Sequence, residues 1–350
     1  MKTTATLALK PGMVLGEDVL SYKNELLLPK MTKLDNAAIA KLSRYSIMCV
    51  EIMEDKDFAT THFEKVRVSD GFKQFKKIYD IYMAVYKKMI NELIESNKQL
   101  DFNTLYQVYA EISGCAKSGE TLLDYLYNML PTEDDLTYAH CLNSALIAGV
   151  FGSWLALSKE DMFSLIYCGF LYDIGKFAIS PELLYKPGKL TDAEFEIVKS
   201  HTISGYKYIK DQHLDPKILK ATLGHHECCN GKGYPHGYKD DDIDMFTKII
   251  SIIDAYEAMT SARTYRNTLT PLEVIANFEK TSEKYSSIIL KPILSHIADT
   301  QLGLTVSLSD GSTAEIIFTN KNKLSRPLVK CNDTVIDLSK RTDIEIVAIL

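Results

Sequence analysis

No CxxC pair, no membrane-length apolar run, no low-complexity tract and no repeat at a solenoid period occurs in this chain. Each absence removes a class of protein. The seven cysteines are odd in number and scattered, and the one adjacent pair, Cys228-Cys229, would strain the backbone if bridged. Reduced thiols and a cytoplasmic protein are therefore expected. The longest apolar stretch, Ala145 to Leu157, is too short to cross a bilayer, so no membrane partner is expected. MKTTATLALKPG carries only a stub of apolar residues before Pro11 and does not read as a signal peptide. A net charge of −6, with both signs interspersed, gives no broad footprint for a nucleic-acid polymer.

What is present is ordinary globular material: 350 residues, 46% hydrophobic and 25% charged, enough for two or three domains. Three regimes follow one another. Residues 1–58 read as a small α+β module, with a hairpin turning at Lys23-Asn24, a helix capped by Asp35 and an apolar strand IMCVEI. Residues 59–300 read as a helical bundle with short connections. Its first long helix shows an apolar stripe of Phe75, Ile78, Tyr82, Val85, Met89 and Leu93, and the same helix offers a surface for pairing with a second copy. Further helices are expected over 102–116, 121–129, 137–157, 160–171, 192–209, 216–226, 244–259 and 271–279. Residues 301–350 return to alternation, with an Asp310-Gly311 turn between strands, and read as a small β domain of barrel-like character. The fold class is mainly α.

The chemistry sits in the bundle. His140, His201, His225 and His226 lie on or beside its expected helices. A lone histidine there would be structural, but two aspartates, Asp173 and Asp254, stand in apolar runs, LIYCGFLYDIGKFAI and IISIIDAYEAM. Burying such acids is costly unless they are paired or bind metal. Imidazole with carboxylate suits manganese, iron or zinc better than calcium. HHECCNGKGYP then places paired ligands before a tight loop, where Gly231 and Gly233 allow close backbone approach and Tyr234 offers a ring for stacking. His62, His213, His236 and His296 carry no such signal, and thiolate ligation by Cys228 or Cys229 is not expected.

From Tyr138 to Arg266 the chain resembles the HD-GYP family of metal-dependent cyclic di-GMP phosphodiesterases. The matching elements are His140, DIGK at Asp173 to Lys176, PELLYKPGKLTDAEFEIVKSH ending at His201, HHE at His225 to Glu227, GYP at Gly233 to Pro235, and DAYEAMTSARTYR from Asp254. The resemblance implies an HD-type helical core of residues 138–266 and two adjacent metal sites, with manganese or iron as the ions. One would use Asp173, His201, His225 and His226. The other would use His140, Asp173 and Asp254 with the histidine of the HD pair. Asp173 would bridge the ions, Lys176 would approach the scissile phosphate, Arg263 and Arg266 would grip phosphates, and Tyr234 with Gly233 would line the nucleotide pocket.

The sequence departs from that pattern in three places. Tyr172 stands where the HD histidine belongs, Asn230 replaces the acid usual before the glycine, and Leu136 occupies a position that is glutamate in members with a third metal. The expected activity is hydrolysis of cyclic di-GMP, ending at linear pGpG, by an enzyme with an altered metal site. The alternative is an impaired relative that acts as a cyclic di-GMP receptor.

Overall fold

The computed structural model describes residues 1–186, 188–261 and 268–350. They fall into two compact units, Met1–Asp70 and Gly71–Leu350. In the first, β1 (Lys2–Ala5) pairs antiparallel with a later strand, and β2 (Val19–Leu20) pairs with β3 (Leu26–Leu28). The Asp35 carboxylate accepts a hydrogen bond from Ala38 N–H and so caps α1 (Asn36–Arg44), and β4 (Cys49–Ile52) is the strand that closes on β1. Leu9, Leu15, Val19, Leu34, Leu42, Val50 and Ile52 form this unit's core. Two short helices, α2 (Asp55–Phe58) and α3 (His62–Val68), end it.

The second unit opens with α4 (Asp70–Ser96), followed by α5 (Phe102–Ser113) and α6 (Gly119–Tyr127). The apolar stripe of α4 shares Phe75 and Leu93 with the expected one and otherwise differs from it. The buried side chains are Phe72, Phe75, Tyr79, Met83, Tyr86, Ile90 and Leu93, while Ile78, Tyr82, Val85 and Met89 flank them. The helix has rotated to bury tyrosines that can satisfy their hydroxyls: Tyr79 donates to Asn143 Oδ1 at 2.8 Å and Tyr86 to the Phe170 carbonyl at 2.6 Å.

At the centre stands α7 (Leu136–Trp154), apolar around its whole circumference and buried through most of its length, which is the signature of a core helix. It packs on α8 (Lys159–Leu171), whose end runs through Tyr172 and Asp173 into a 3₁₀ turn at Ile174–Ala178. After α9 (Pro181–Leu184) comes a stretch expected as one helix over 192–209. It is two, α10 (Asp192–Lys199) and α11 (His201–Ile209), because the hydrogen-bond ladder tightens at Ser200, whose N–H goes to the Ile197 carbonyl at 3.1 Å. The break sets His201 at the first position of α11. The bundle is completed by α12 (Pro216–Gly224), α13 (Met245–Thr260), α14 (Pro271–Lys280) and α15 (Ser287–Asp299).

The C-terminal strands β5 (Thr305–Leu308), β6 (Thr313–Phe318), β7 (Leu328–Cys331), β8 (Thr334–Asp337) and β9 (Ile346–Ile349) form an antiparallel sheet in the order β8-β7-β6-β5-β9. Its two end strands do not pair with each other among the described residues, so it is an open sheet and not the barrel expected. Ser325 Oγ donates to Glu279 at 2.5 Å and Thr319 Oγ1 to Asp299 at 3.0 Å, tying it to α14 and α15. All seven cysteines are free thiols, and among the described residues no helix is long and apolar enough to cross a membrane.

Candidate metal centre

Five pieces of chain converge on one point: the second turn of α7 with His140, the end of α8 with Asp173, the start of α11 with His201, the end of α12 with His225 and His226, and α13 with Asp254. Their ligand atoms form two adjacent groups, His201 with His225 and His226, and His140 with Asp173 and Asp254.

Asp173 stands between them and is fully buried. Its Oδ1 lies 3.3 Å from His201 Nε2 and 3.8 Å from His225 Nε2, while Oδ2 lies 3.1 Å from His140 Nε2. Lys176 Nζ sits against Oδ2, yet neither oxygen has a hydrogen bond of sound geometry. A buried carboxylate without full compensation costs about several kcal/mol, so a partner of high positive charge fits here. Burial alone would raise the carboxyl of Asp173; Lys176 and the neighbouring imidazoles instead hold it well below the usual carboxylate range.

The histidines are poised to accept a cation. His201 Nδ1 lies 2.6 Å from the Val198 carbonyl and His225 Nδ1 lies 3.0 Å from the Thr222 carbonyl. A carbonyl only accepts, so Nδ1 carries the proton on both rings. Each Nε2 is then a bare lone pair, and the two Nε2 atoms face each other across 3.1 Å. Two acceptors that close need something positive between or beside them. Burial keeps these rings neutral: it lowers the imidazole of His201, lowers that of His225 well below its ordinary value, and brings His226 to about 4. This arrangement of lone pairs, alongside a buried carboxylate that no hydrogen-bond donor satisfies, fits a divalent metal ion.

The other group is built differently. His140 Nδ1 donates to the Glu257 carboxylate at 2.5 Å, and Glu257 also accepts from Asn143 Nδ2 at 3.0 Å and from Ser261 Oγ. Burial pulls the His140 imidazole down, but Glu257, Asp173 and Asp254 together outweigh it and the ring is held well above its ordinary range. The Nε2 side of the ring faces Asp254 Oδ1 at 3.1 Å and the hydroxyl of Tyr172 at 2.6 Å.

Two close approaches explain glycines in the motifs. A Cβ on Gly175 would lie 1.8 Å from the His201 carbonyl oxygen, so α11 can reach Asp173 only because that residue is glycine. A Cβ on Gly233 would lie 2.4 Å from Cys228 N and 2.5 Å from the His226 carbonyl, so the loop folds back over the HHE segment for the same reason. Glu227, to which no role was expected, holds that loop: its carboxylate accepts from His236 N–H at 2.7 Å and Tyr238 N–H at 2.9 Å. The ring of Tyr234 stacks on His226 with centroids 4.7 Å apart.

The centre lies between two cavities. One, of about 240 Å³, is lined by Leu136, His140, Lys176, Tyr185, Lys186 and Glu257, among others. The other, of about 350 Å³, is lined by His225, His226 and Asp254 on its inner side, and by Tyr234, Lys199 and Lys232 among its remaining walls. Arg263 and Arg266 lie outside the described residues. Glu257 was missed by sequence reasoning, although a signal existed: it is one helical turn from Asp254 on α13, a second acid in the same apolar run.

Residues 124–287 match the family model described as HD domain. The chain is 28% identical over 202 residues to Cyclic di-GMP phosphodiesterase PA4108 of Pseudomonas aeruginosa, covering 57% of this chain and 49% of that protein. It is 29% identical over 255 residues to the Cyclic di-GMP phosphodiesterase of Thermotoga maritima, covering 70% and 66% respectively. The chain thus spans about half the length of the first relative and about two thirds of the second. The solved structure of Bd1817, a HDG"Y"P protein from Bdellovibrio bacteriovorus, superposes with a TM-score of 0.50 at 13% identity, covering 85% of this chain and 99% of that one. That likeness speaks for the fold alone.

Proposed function

We propose that the HD-GYP-type domain of this chain, residues 124–287, is a metal-dependent phosphodiesterase that opens cyclic di-GMP to linear pGpG. The observation that carries the reading is the convergence of Asp173 with the Nε2 atoms of His201 and His225, a buried carboxylate with no hydrogen-bond donor beside two bare lone pairs. Asp173, His201, His225 and His226 would hold the ion, with manganese or iron suited to that donor set. A divalent ion there supplies Lewis acidity, making water a nucleophile near neutral pH and offsetting charge on a phosphoryl oxygen.

The remaining work falls to the chain. Lys176, its ammonium charged beside Asp173, faces the cavity that His140 lines, where a phosphate oxygen can meet it. Tyr234, held on His226, presents a ring face to the neighbouring cavity for a guanine base. Glu227 fixes the loop that positions it. Burial of Asp173, His201 and His225 excludes bulk water from that carboxylate and those two imidazoles. Leu136 lines the same cavity as His140 and brings no ligand oxygen, which supports an activity that stops after the first phosphodiester cleavage.

The test is turnover of cyclic di-GMP by purified protein supplied with manganese(II) or iron(II), products being separated by anion-exchange chromatography. Linear pGpG is expected, with cyclic di-AMP as the comparison substrate cleaved less well. Tight binding of cyclic di-GMP with no linear product would establish the receptor in place of the enzyme.

A further inference from the structure

Tyr172 belongs to the centre, and the phosphodiesterase reading gives its side chain no role. It ends α8, with its N–H bonded to the Cys168 carbonyl at 2.9 Å, and its side chain is fully buried. The ring is wedged edge-on between two imidazoles, 5.6 Å from the centroid of His140 and 4.8 Å from that of His225. The hydroxyl lies 2.6 Å from His140 Nε2, 3.2 Å from Asp254 Oδ1 and 3.0 Å from Ser144 Oγ.

Two of those contacts, to His140 Nε2 and Asp254 Oδ1, engage ligand atoms that a cation in the His140–Asp173–Asp254 group would need. The proton shared between the Tyr172 oxygen and His140 Nε2 sits on the imidazole's only available lone pair, whichever of the two atoms carries it, because Nδ1 is already engaged by Glu257. Reach makes the same point. From standard covalent geometry a phenol oxygen extends about 2 Å farther from Cβ than the Nε2 of an imidazole. That is about one metal–nitrogen bond length. An imidazole at position 172 would stop where a ligand atom belongs, whereas the phenol oxygen goes on into the place of the ion.

We infer that this chain binds a single metal ion, at Asp173, His201, His225 and His226, and that the Tyr172 hydroxyl occupies the second position as a hydrogen-bonded plug joining His140, Asp254 and Ser144. The inference rests on the metal-dependent reading above and deepens it: the centre is mononuclear, and the cation that acts from the other side is the Lys176 ammonium.

Metal analysis of the full chain tests this, after loading with excess manganese(II) or iron(II) and desalting, with wild type beside Tyr172→His. About one ion per chain is expected in wild type and about two in Tyr172→His. About two ions in wild type would overturn the inference. So would a visible phenolate-to-iron charge-transfer band in the oxidised iron-loaded protein, since it would make the Tyr172 oxygen a ligand. Both wild-type readouts hold whether or not the variant folds. An unchanged count in a folded Tyr172→His protein would also overturn the assignment of Tyr172 as the block. No retained ion in wild type would sink this inference and the phosphodiesterase reading together, whereas one retained ion with no turnover of cyclic di-GMP would sink only the latter.

Discussion

The carboxylate of Glu257 accepts a 2.5 Å hydrogen bond from Nδ1 of His140, and both groups are buried. The pair fixes the tautomer of His140 and turns its Nε2 toward Asp173, Asp254 and Tyr172. Three donors converge on Glu257, from His140, Asn143 and Ser261. Glu257→Gln presents one of them with an amide N–H₂ instead of an acceptor. A loss of about 1–3 kcal/mol is expected from the unsatisfied buried group. Chemical denaturation of the ion-free protein measures it; because the His140 group holds no ion in a mononuclear centre, retained metal should stay at the wild-type level.

His225 contributes a lone pair that no protein donor satisfies. His225→Ala is expected to weaken ion binding by more than about 100-fold, beyond the range typical of residues that only support a ligand. Competition with a fluorescent chelator gives the affinity directly, and an affinity within a few-fold of wild type would remove His225 from the site.

Gly175 admits α11 to the centre. Gly175→Ala places a methyl carbon against the backbone of His201 and Gly205, at 1.8 and 2.4 Å, where no flexible side chain can give way. Overpacking against backbone is expected to cost about 3 kcal/mol or more. A fall in melting temperature together with lost ion retention would show it; a variant as stable as wild type would contradict the close approach.

Glu194 gives a pH prediction. Its carboxylate accepts from Thr191 N–H in the capping box of α10 and pairs with Lys186 at 2.7 Å. The hydrogen bond from Lys186, then that from Thr191, brings its pKa down to about 2. A group depressed in the fold stabilises above its unfolded pKa and loses that contribution as pH falls through its folded value. The difference in melting temperature between wild type and Glu194→Gln should therefore be full at pH 7, shrink below the ordinary glutamate value of 4.5 and vanish near about 2. Because the side chain is partly open to solvent, the effect should also weaken with added salt.

Much of this centre is legible in the chain. Asp173 and Asp254 announce themselves as acids in apolar runs, and His225-His226 as paired ligands before a glycine loop, because burying such groups without a partner is costly. Local rules also sufficed for the Asp35 cap, the hairpin joining β2 to β3 and the turn between β5 and β6, each being decided by a few neighbouring residues. Which face of α4 is buried was not decided locally. Two apolar stripes lie side by side on that helix, and the winner is the one whose tyrosine hydroxyls meet Asn143 and the Phe170 carbonyl, partners 64 and 84 residues away.

Tyr172 shows the same division most sharply. Its presence beside Asp173 is a fact of the sequence, and so is the loss of an imidazole from the motif. Whether a phenol there serves as ligand, bystander or plug depends on where its oxygen ends, and that depends on α7, α8, α12 and α13 closing around it. Spacing along the chain determines which residues can meet; only the packed bundle determines that this hydroxyl meets His140, Ser144 and Asp254 at once, because hydrogen-bond reach is an ångström-scale property of side chains brought together from distant segments.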